Sequence, residues 1–147
     1  VDQLILNQAI DNFKINSYTQ SLDIKNFDVS FARGLSLEDG CATITDFTAY
    51  LISEGLKYIS QKNTITFLIC GGGRKNSNLI TRIINYISNE NNITLETIDN
   101  YNLNGDYIES QAFGFLAIRS FLNLPISFSK TTGCKEFTVG GKLVENF

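Results

Sequence analysis

FLICGGGRKNSNLI, from Phe67 to Ile80, runs an apolar segment into three consecutive glycines and then into the start of a helix. Thr64 to Cys70 is β-branched and aromatic with no polar alternation at its end, the pattern of a strand covered on both faces. Past the glycines, Asn76 is placed to cap a helix whose buried stripe is Leu79, Ile80, Ile83, Ile84 and Ile87. A strand that ends in glycine and passes into a helix puts its turn at the carboxyl edge of a sheet, where α/β proteins bind ligands. Two readings of Gly71, Gly72 and Gly73 therefore stand side by side. They form a tight turn and nothing more, or they let a ligand lie against bare backbone beside the free amides of a helix start. The run is neither GxGxxG nor GxxxxGK[ST], so no standard phosphate motif decides between them.

Working outward, Ser36 with Asp39 fits a capping box. Ile44, Phe47, Leu51, Ile52, Leu56 and Ile59 then recur at helical spacing, so a helix is expected from about 37 to 60. Val1 to Phe13 carries a shorter helical pattern, and NSYTQSLDIKNFD after it reads as a loop. Downstream, NITLETID reads as a second strand, NYNLNGD as a polar loop and YIESQAFGFLAIRSFL as a third helix ended by NLP. The tail suggests a loop and a short strand or hairpin around Gly140 and Gly141. Such an order predicts an α/β fold with a mostly parallel sheet flanked by helices. It is one unit, with an irregular segment over 1–30 and an α/β core over 31–147. Two or three strands make a thin sheet, which points to half of a larger structure.

The chain has 147 residues, 43% of them hydrophobic and 18% charged, with a net charge of -3. Nothing in that balance marks a nucleic-acid-binding surface, and no apolar run approaches the roughly 20 residues of a membrane span. A cytoplasmic protein with no nucleic-acid or membrane partner is expected. Cys41, Cys70 and Cys134 are far apart, which predicts buried, reduced thiols. There is no histidine, so Ser-His and Cys-His chemistry is excluded, and any acid or base must be a carboxylate, a lysine or a tyrosine. The sequence opens on Val1 and contains no methionine, which suggests a piece of something longer. Tyrosines and phenylalanines sit at core-like spacing and are assigned to packing.

Two further segments hold polar groups of interest. Asp106 and Glu109 fall at the start of the third helix, where the helix dipole favours carboxylates. A solvated helix start is the plain reading; the functional one points Glu109 into a cleft, holding a sugar hydroxyl or a metal-bound water. Thr131 and Thr132 beside Gly133 offer hydroxyls to a sugar or phosphate, although polar turns of this kind are common.

Three stretches in order carry more than a generic α/β pattern: SLDIKNFDVSFARGLSLEDGCATITDFTA (21–49), FLICGGGRKNSNLI (67–80) and GDYIESQAFGFLAIRSFLNLPISFSKTTGCKEFTVGGKL (105–143). From Ser21 onward the chain resembles the C-terminal portion of the anhydro-N-acetylmuramic acid kinases, of the sugar kinase/Hsp70/actin superfamily. GGGxxN and Asp-x-x-Glu-x-x-Ala-Phe are the most specific parts of that resemblance.

The resemblance implies the C-terminal, nucleotide-binding lobe of an actin-like (ribonuclease H-like) ATPase. The family uses ATP and Mg2+ to phosphorylate 1,6-anhydro-N-acetylmuramic acid as water opens its anhydro ring, giving N-acetylmuramic acid 6-phosphate for cell-wall recycling. Carried over by motif, Gly71, Gly72 and Gly73 lie against the nucleotide, Asn76 helps to fix it, and Glu109 contacts the sugar, with Asp106 a weaker candidate nearby. Ser36, Glu38, Asp39 and Thr43 match a segment expected to support the core. The family's DGTSxDG-like and DTGPGN-like phosphate segments and its catalytic aspartate have no counterpart here and are expected upstream of Val1. So no catalytic base and no metal ligand is assigned within this chain, which alone is expected to be inactive. Expected partners are the amino sugar and the missing N-terminal lobe or the chain's own full-length form, with a homodimer also open. Ser110 replaces the family's usual Ala, and Gly114 costs the third helix on the order of 1 kcal/mol relative to Ala. Two alternatives remain: a non-catalytic remnant or binding module of a split kinase, or another sugar kinase or ATPase of the superfamily.

Overall fold

A computed structural model of the chain describes residues 1–13 and 26–144. Most of the loop expected over NSYTQSLDIKNFD lies outside them. Helix α1 spans Gln3–Asn12, capped by Asp2, whose carboxylate accepts from the Ile5 amide. Helix α2 covers Leu37–Ser60, the range its sequence pattern predicts, with the Ser36 hydroxyl accepting from the Asp39 amide at 3.1 Å. Leu6 and Ala9 of α1 close on Phe47 of α2 to form a core, with Phe13 and Phe31 edge-on to the Phe47 ring. The fully buried Thr43 ties the two helices by accepting from the Asp2 amide at 3.0 Å.

Strand β1 (Ile65–Ile69), helix α3 (Ser77–Ile87) and strand β2 (Ile93–Thr97) follow, and the strands pair in parallel from Ile65 opposite Ile93 to Ile69 opposite Thr97. Helix α3 packs on α2 with Ile83 and Ile87 buried, and the small Ser53 of α2 lies against the Ile83 carbonyl at 3.5 Å. Ser53 puts its hydroxyl on the Ala49 carbonyl at 2.7 Å, so a buried polar group is satisfied within its own helix. The Asn92 side chain donates to the Ser60 carbonyl at 2.7 Å and joins the end of α2 to the start of β2. An α/β unit with a small parallel sheet flanked by helices results.

Four expectations need correction. Strand β1 is covered on one face: Ile65, Phe67 and Ile69 are half-buried while Thr66 and Leu68 face out, because no described layer covers their side. Ile84 likewise leaves the α3 stripe and is exposed, since α2 reaches only the Ile83–Ile87 side. The thiols are free, but Cys41 and Cys70 are exposed and Cys134 is half-buried. Helix α4 (Ile108–Phe121) buries none of its residues, and Phe113, Phe115 and Phe121 are more than half exposed, so these aromatics are not part of a core in the described chain.

The tail differs as well. Instead of a hairpin centred on Gly140 and Gly141, an antiparallel bridge joins Ser127 to Thr138 around the short helix α5 (Ser129–Thr132). Gly140 passes so close to Ile126 that a Cβ there would come within 2.7 Å of its Cδ1. Among the described residues no helix is long and apolar enough to cross a membrane.

Candidate functional site

The glycine turn leaves β1 at its carboxyl end, as its sequence predicts. Gly71 has φ 76°, the left-handed region that glycine alone enters without strain, and its amide donates to the Gly105 carbonyl at 2.9 Å. Gly72 to Lys75 then makes one tight turn, and Asn76 caps α3 by accepting from the Leu79 amide at 3.1 Å. The three glycines differ in what the chain asks of them. Gly71 is required by its backbone angle. Gly72 has no positive φ, and a Cβ there would meet nothing within 4 Å; at Gly73 it would make only ordinary contact with Leu79. A turn alone accounts for Gly71 and leaves Gly72 and Gly73 unexplained.

Facing this turn is the connection from β2 to α4. Arg74 lies between the two. Its Nε and Nη2 fork onto Asp99 at 2.7 and 3.2 Å, and its Nη1 donates to Asp106 at 2.7 Å and to the Gly71 carbonyl at 2.9 Å. Lys75 holds the other oxygen of Asp106 at 2.7 Å. Arg74 is held charged, above its ordinary range, by hydrogen bonds to Asp99 and then Asp106. In return, hydrogen bonds from Arg74 and then Lys75 bring the Asp106 carboxyl down to about 2, and Asp99 is lowered by Arg74. The two carboxylates and two cations balance, so the cluster has no net charge. Asp106, read from sequence as the weaker candidate, is the carboxylate brought to the glycine turn.

Glu109 sits exposed in the first turn of α4. Thr131 and Thr132 turn their hydroxyls onto the Phe128 carbonyl at 3.1 and 3.2 Å, so they close their own short helix. Thr132 also bonds the Ser127 hydroxyl, and Thr132 and then Ser127 lower the Cys134 thiol from its ordinary value. Ser36 and Asp39 form the α2 cap, and Thr43 is in the core, which is the supporting part expected of that segment. Arg74, Asp99 and Gly105 were not singled out from sequence. Their signal was a basic pair after one strand and two aspartates after the next, on loops that parallel pairing brings to one edge.

A sequence profile for anhydro-N-acetylmuramic acid kinase matches residues 12–146. This chain belongs to that family. Among curated members, the anhydro-N-acetylmuramic acid kinase of Pelagibacter ubique is 48% identical over 99% of this chain and 40% of its own length. Those of Rhizorhabdus wittichii and Zymomonas mobilis are 36% and 34% identical over 96% and 84% of this chain, and over 38% and 33% of their own lengths. The chain thus spans at most 40% of the anhydro-N-acetylmuramic acid kinases named here.

Proposed function

We propose that this chain is the nucleotide-binding, actin-like lobe of an anhydro-N-acetylmuramic acid kinase, and that it acts with ATP and Mg2+ when joined to the rest of the longer family chain. The observation that carries the reading is Gly72: a glycine in open space, required by neither backbone angle nor neighbour, at the carboxyl edge of a parallel strand. ATP would supply the phosphoryl group.

The residues at the turn suit a nucleotide. Gly71 to Gly73 present backbone with no side chain in the way, next to the amino end of α3. Asn76 uses its Oδ1 on the helix cap, which leaves its amide NH2 to donate to the ligand. Glu109, exposed at the start of α4, is assigned to a sugar hydroxyl. Among the described residues no three acidic or sulfur side chains converge, and no metal ligand and no Mg2+-dependent step is assigned to this chain's side chains. The base that activates water and the other phosphate-binding segments belong, in this account, to the part of the relatives that this chain does not match. The chain by itself is then catalytically silent and cytoplasmic.

The same account gives α4 its partner. A helix apolar on all sides is ordinarily buried, and α4 leaves Phe113 at 64% and Phe121 at 72% exposure. The rest of the family chain would cover this face.

A chimera tests the reading. This chain replaces the matching portion of the Pelagibacter ubique relative, and ADP release is followed with and without 1,6-anhydro-N-acetylmuramic acid. Sugar-dependent turnover is expected, with Glu109→Gln raising the KM for the sugar more than it lowers kcat. A silent chimera beside an active parent, or turnover indifferent to the sugar, would overturn it.

A further inference from the structure

We propose that Arg74 is a positioning residue that locks the Gly71–Gly73 turn to the β2–α4 connection, so that the two loops meet a ligand as one wall. The ligand is the nucleotide of the reading above, and the inference rests on that reading for its functional consequence.

In a parallel sheet the loops after neighbouring strands rise side by side, but the strand ladder here stops at Ile69 and Thr97. Beyond it, three devices join the loops: the Gly71 amide on the Gly105 carbonyl, the Lys75 ammonium on Asp106, and the Arg74 side chain, which alone reaches Asp99, Asp106 and the Gly71 carbonyl together. Four hydrogen bonds tie the guanidinium to Asp99, Asp106 and the Gly71 carbonyl, and the side chain is only 8% exposed. A guanidinium spreads its donors over a planar fork that reaches all three partners and grips Asp99 with two nitrogens; an ammonium carries its three donors on one atom and cannot reproduce that fork.

Gly105 is shaped to this arrangement. Its own φ is not positive, yet a Cβ there would lie 2.5 Å from Arg74 Nε and 2.7 Å from its Cζ. The missing methyl makes room for the guanidinium. The Gly105 amide also donates to Asp99 Oδ1 at 3.3 Å.

Electrostatic attraction does not explain the cluster. Arg74 and Lys75 are neutralised by Asp99 and Asp106, so the group offers a phosphate no net positive charge, and the donors of Arg74 point at carboxylates. What the cluster does supply is geometry: it fixes bare backbone amides before a ligand arrives, so ordering the turn costs less on binding.

Two variants test this on the full chain. Arg74→Lys keeps the charge and loses the fork; Gly105→Ala keeps every charge and displaces the guanidinium. Exchange of the Gly71 amide should speed up by about tenfold in both, with amides of α2 unchanged, the signature of local rather than global opening. The Kd for ATP with Mg2+, by calorimetry, should rise by about tenfold in both. Asp106→Asn separates positioning from charge: it leaves the cluster net positive, so attraction predicts tighter ATP binding and positioning predicts weaker. Gly71 exchange within twofold of the parent in both variants, or tighter binding by Asp106→Asn, would overturn the proposal. Faster exchange in a chain whose parent form binds no ATP would uphold the clamp and refute the nucleotide reading.

Discussion

Asp46 of α2 and Arg82 of α3 form an ion pair at 3.2 Å in which the carboxylate is 4% exposed and the guanidinium side chain 46%. Among the described residues Asp46 Oδ1 has no hydrogen-bond partner. The half-exposed arginine, together with the Tyr86 phenol beside it, therefore compensates a buried charge between α2 and α3. Arg82→Gln should cost about 2 kcal/mol, short of the full cost of breaking a buried pair because water reaches this edge. Asp46→Leu combined with Arg82→Met should recover most of that loss. Urea denaturation checks both, and a double variant no more stable than Arg82→Gln would contradict the account.

Tyr86 lies beside this pair. Burial, then the Asp46 charge, push its phenol up to about 12. The fold thus favours the neutral form, and its contribution is complete below pH 10 and lost as pH rises through 12. Absorbance titration of the phenolates should show a late-ionising tyrosine that Tyr86→Phe removes.

At the glycine turn the sign is the opposite. Asp106 falls from 3.8 to about 2, and Asp99 is also lowered. The tie between the two loops is intact above pH 4 and lost as pH falls toward 2. Both carboxylates are 44% exposed, so global stability should respond little. The Gly71 amide resonance, followed against pH, should move with a midpoint below 3.5. A midpoint at the ordinary carboxylate value would mean the ion pairs do not persist in solution.

Exposed aromatics on α4 predict self-association of the isolated chain. Light scattering should report a mass that grows with concentration, and an apolar dye should bind. Replacing Phe113 and Phe121 with serine should suppress both while leaving the unfolding midpoint near that of the parent, since neither ring is buried. A monodisperse parent with no dye binding would count against α4 as a covered face.

The α2 start makes a smaller claim. Ser36→Ala removes the acceptor for the Asp39 amide and should cost about 1 kcal/mol of stability, with no effect on ligand binding.

Where sequence and structure agree, the signals were local. Helix α2 was legible to its ends because Ser36 caps it and its apolar residues keep helical spacing; Asn76 announced α3 in the same way. The glycine turn was legible because a strand, glycines and a cap stand in a row. What failed depended on what lies opposite. TITFLIC reads as doubly covered, yet an apolar run is the same whether a second layer is present or absent, and Leu68 faces outward. The aromatics of α4 were read as core for the same reason. Arg74 went unread because its partners Asp99, Gly105 and Asp106 are 25 to 32 positions away in sequence, and only the parallel pairing of β1 with β2 brings them to it.

The central claim is that the glycines make room for a nucleotide, and Gly72 tests it most directly. A Cβ there meets nothing within 4 Å and the backbone angle is open to any residue, so Gly72→Val should fold with near-parental stability. Calorimetric titration of ATP with Mg2+ into the parent chain should show weak binding, and the same titration into Gly72→Val should show none. Equal binding by the two forms would place the nucleotide elsewhere and contradict the account.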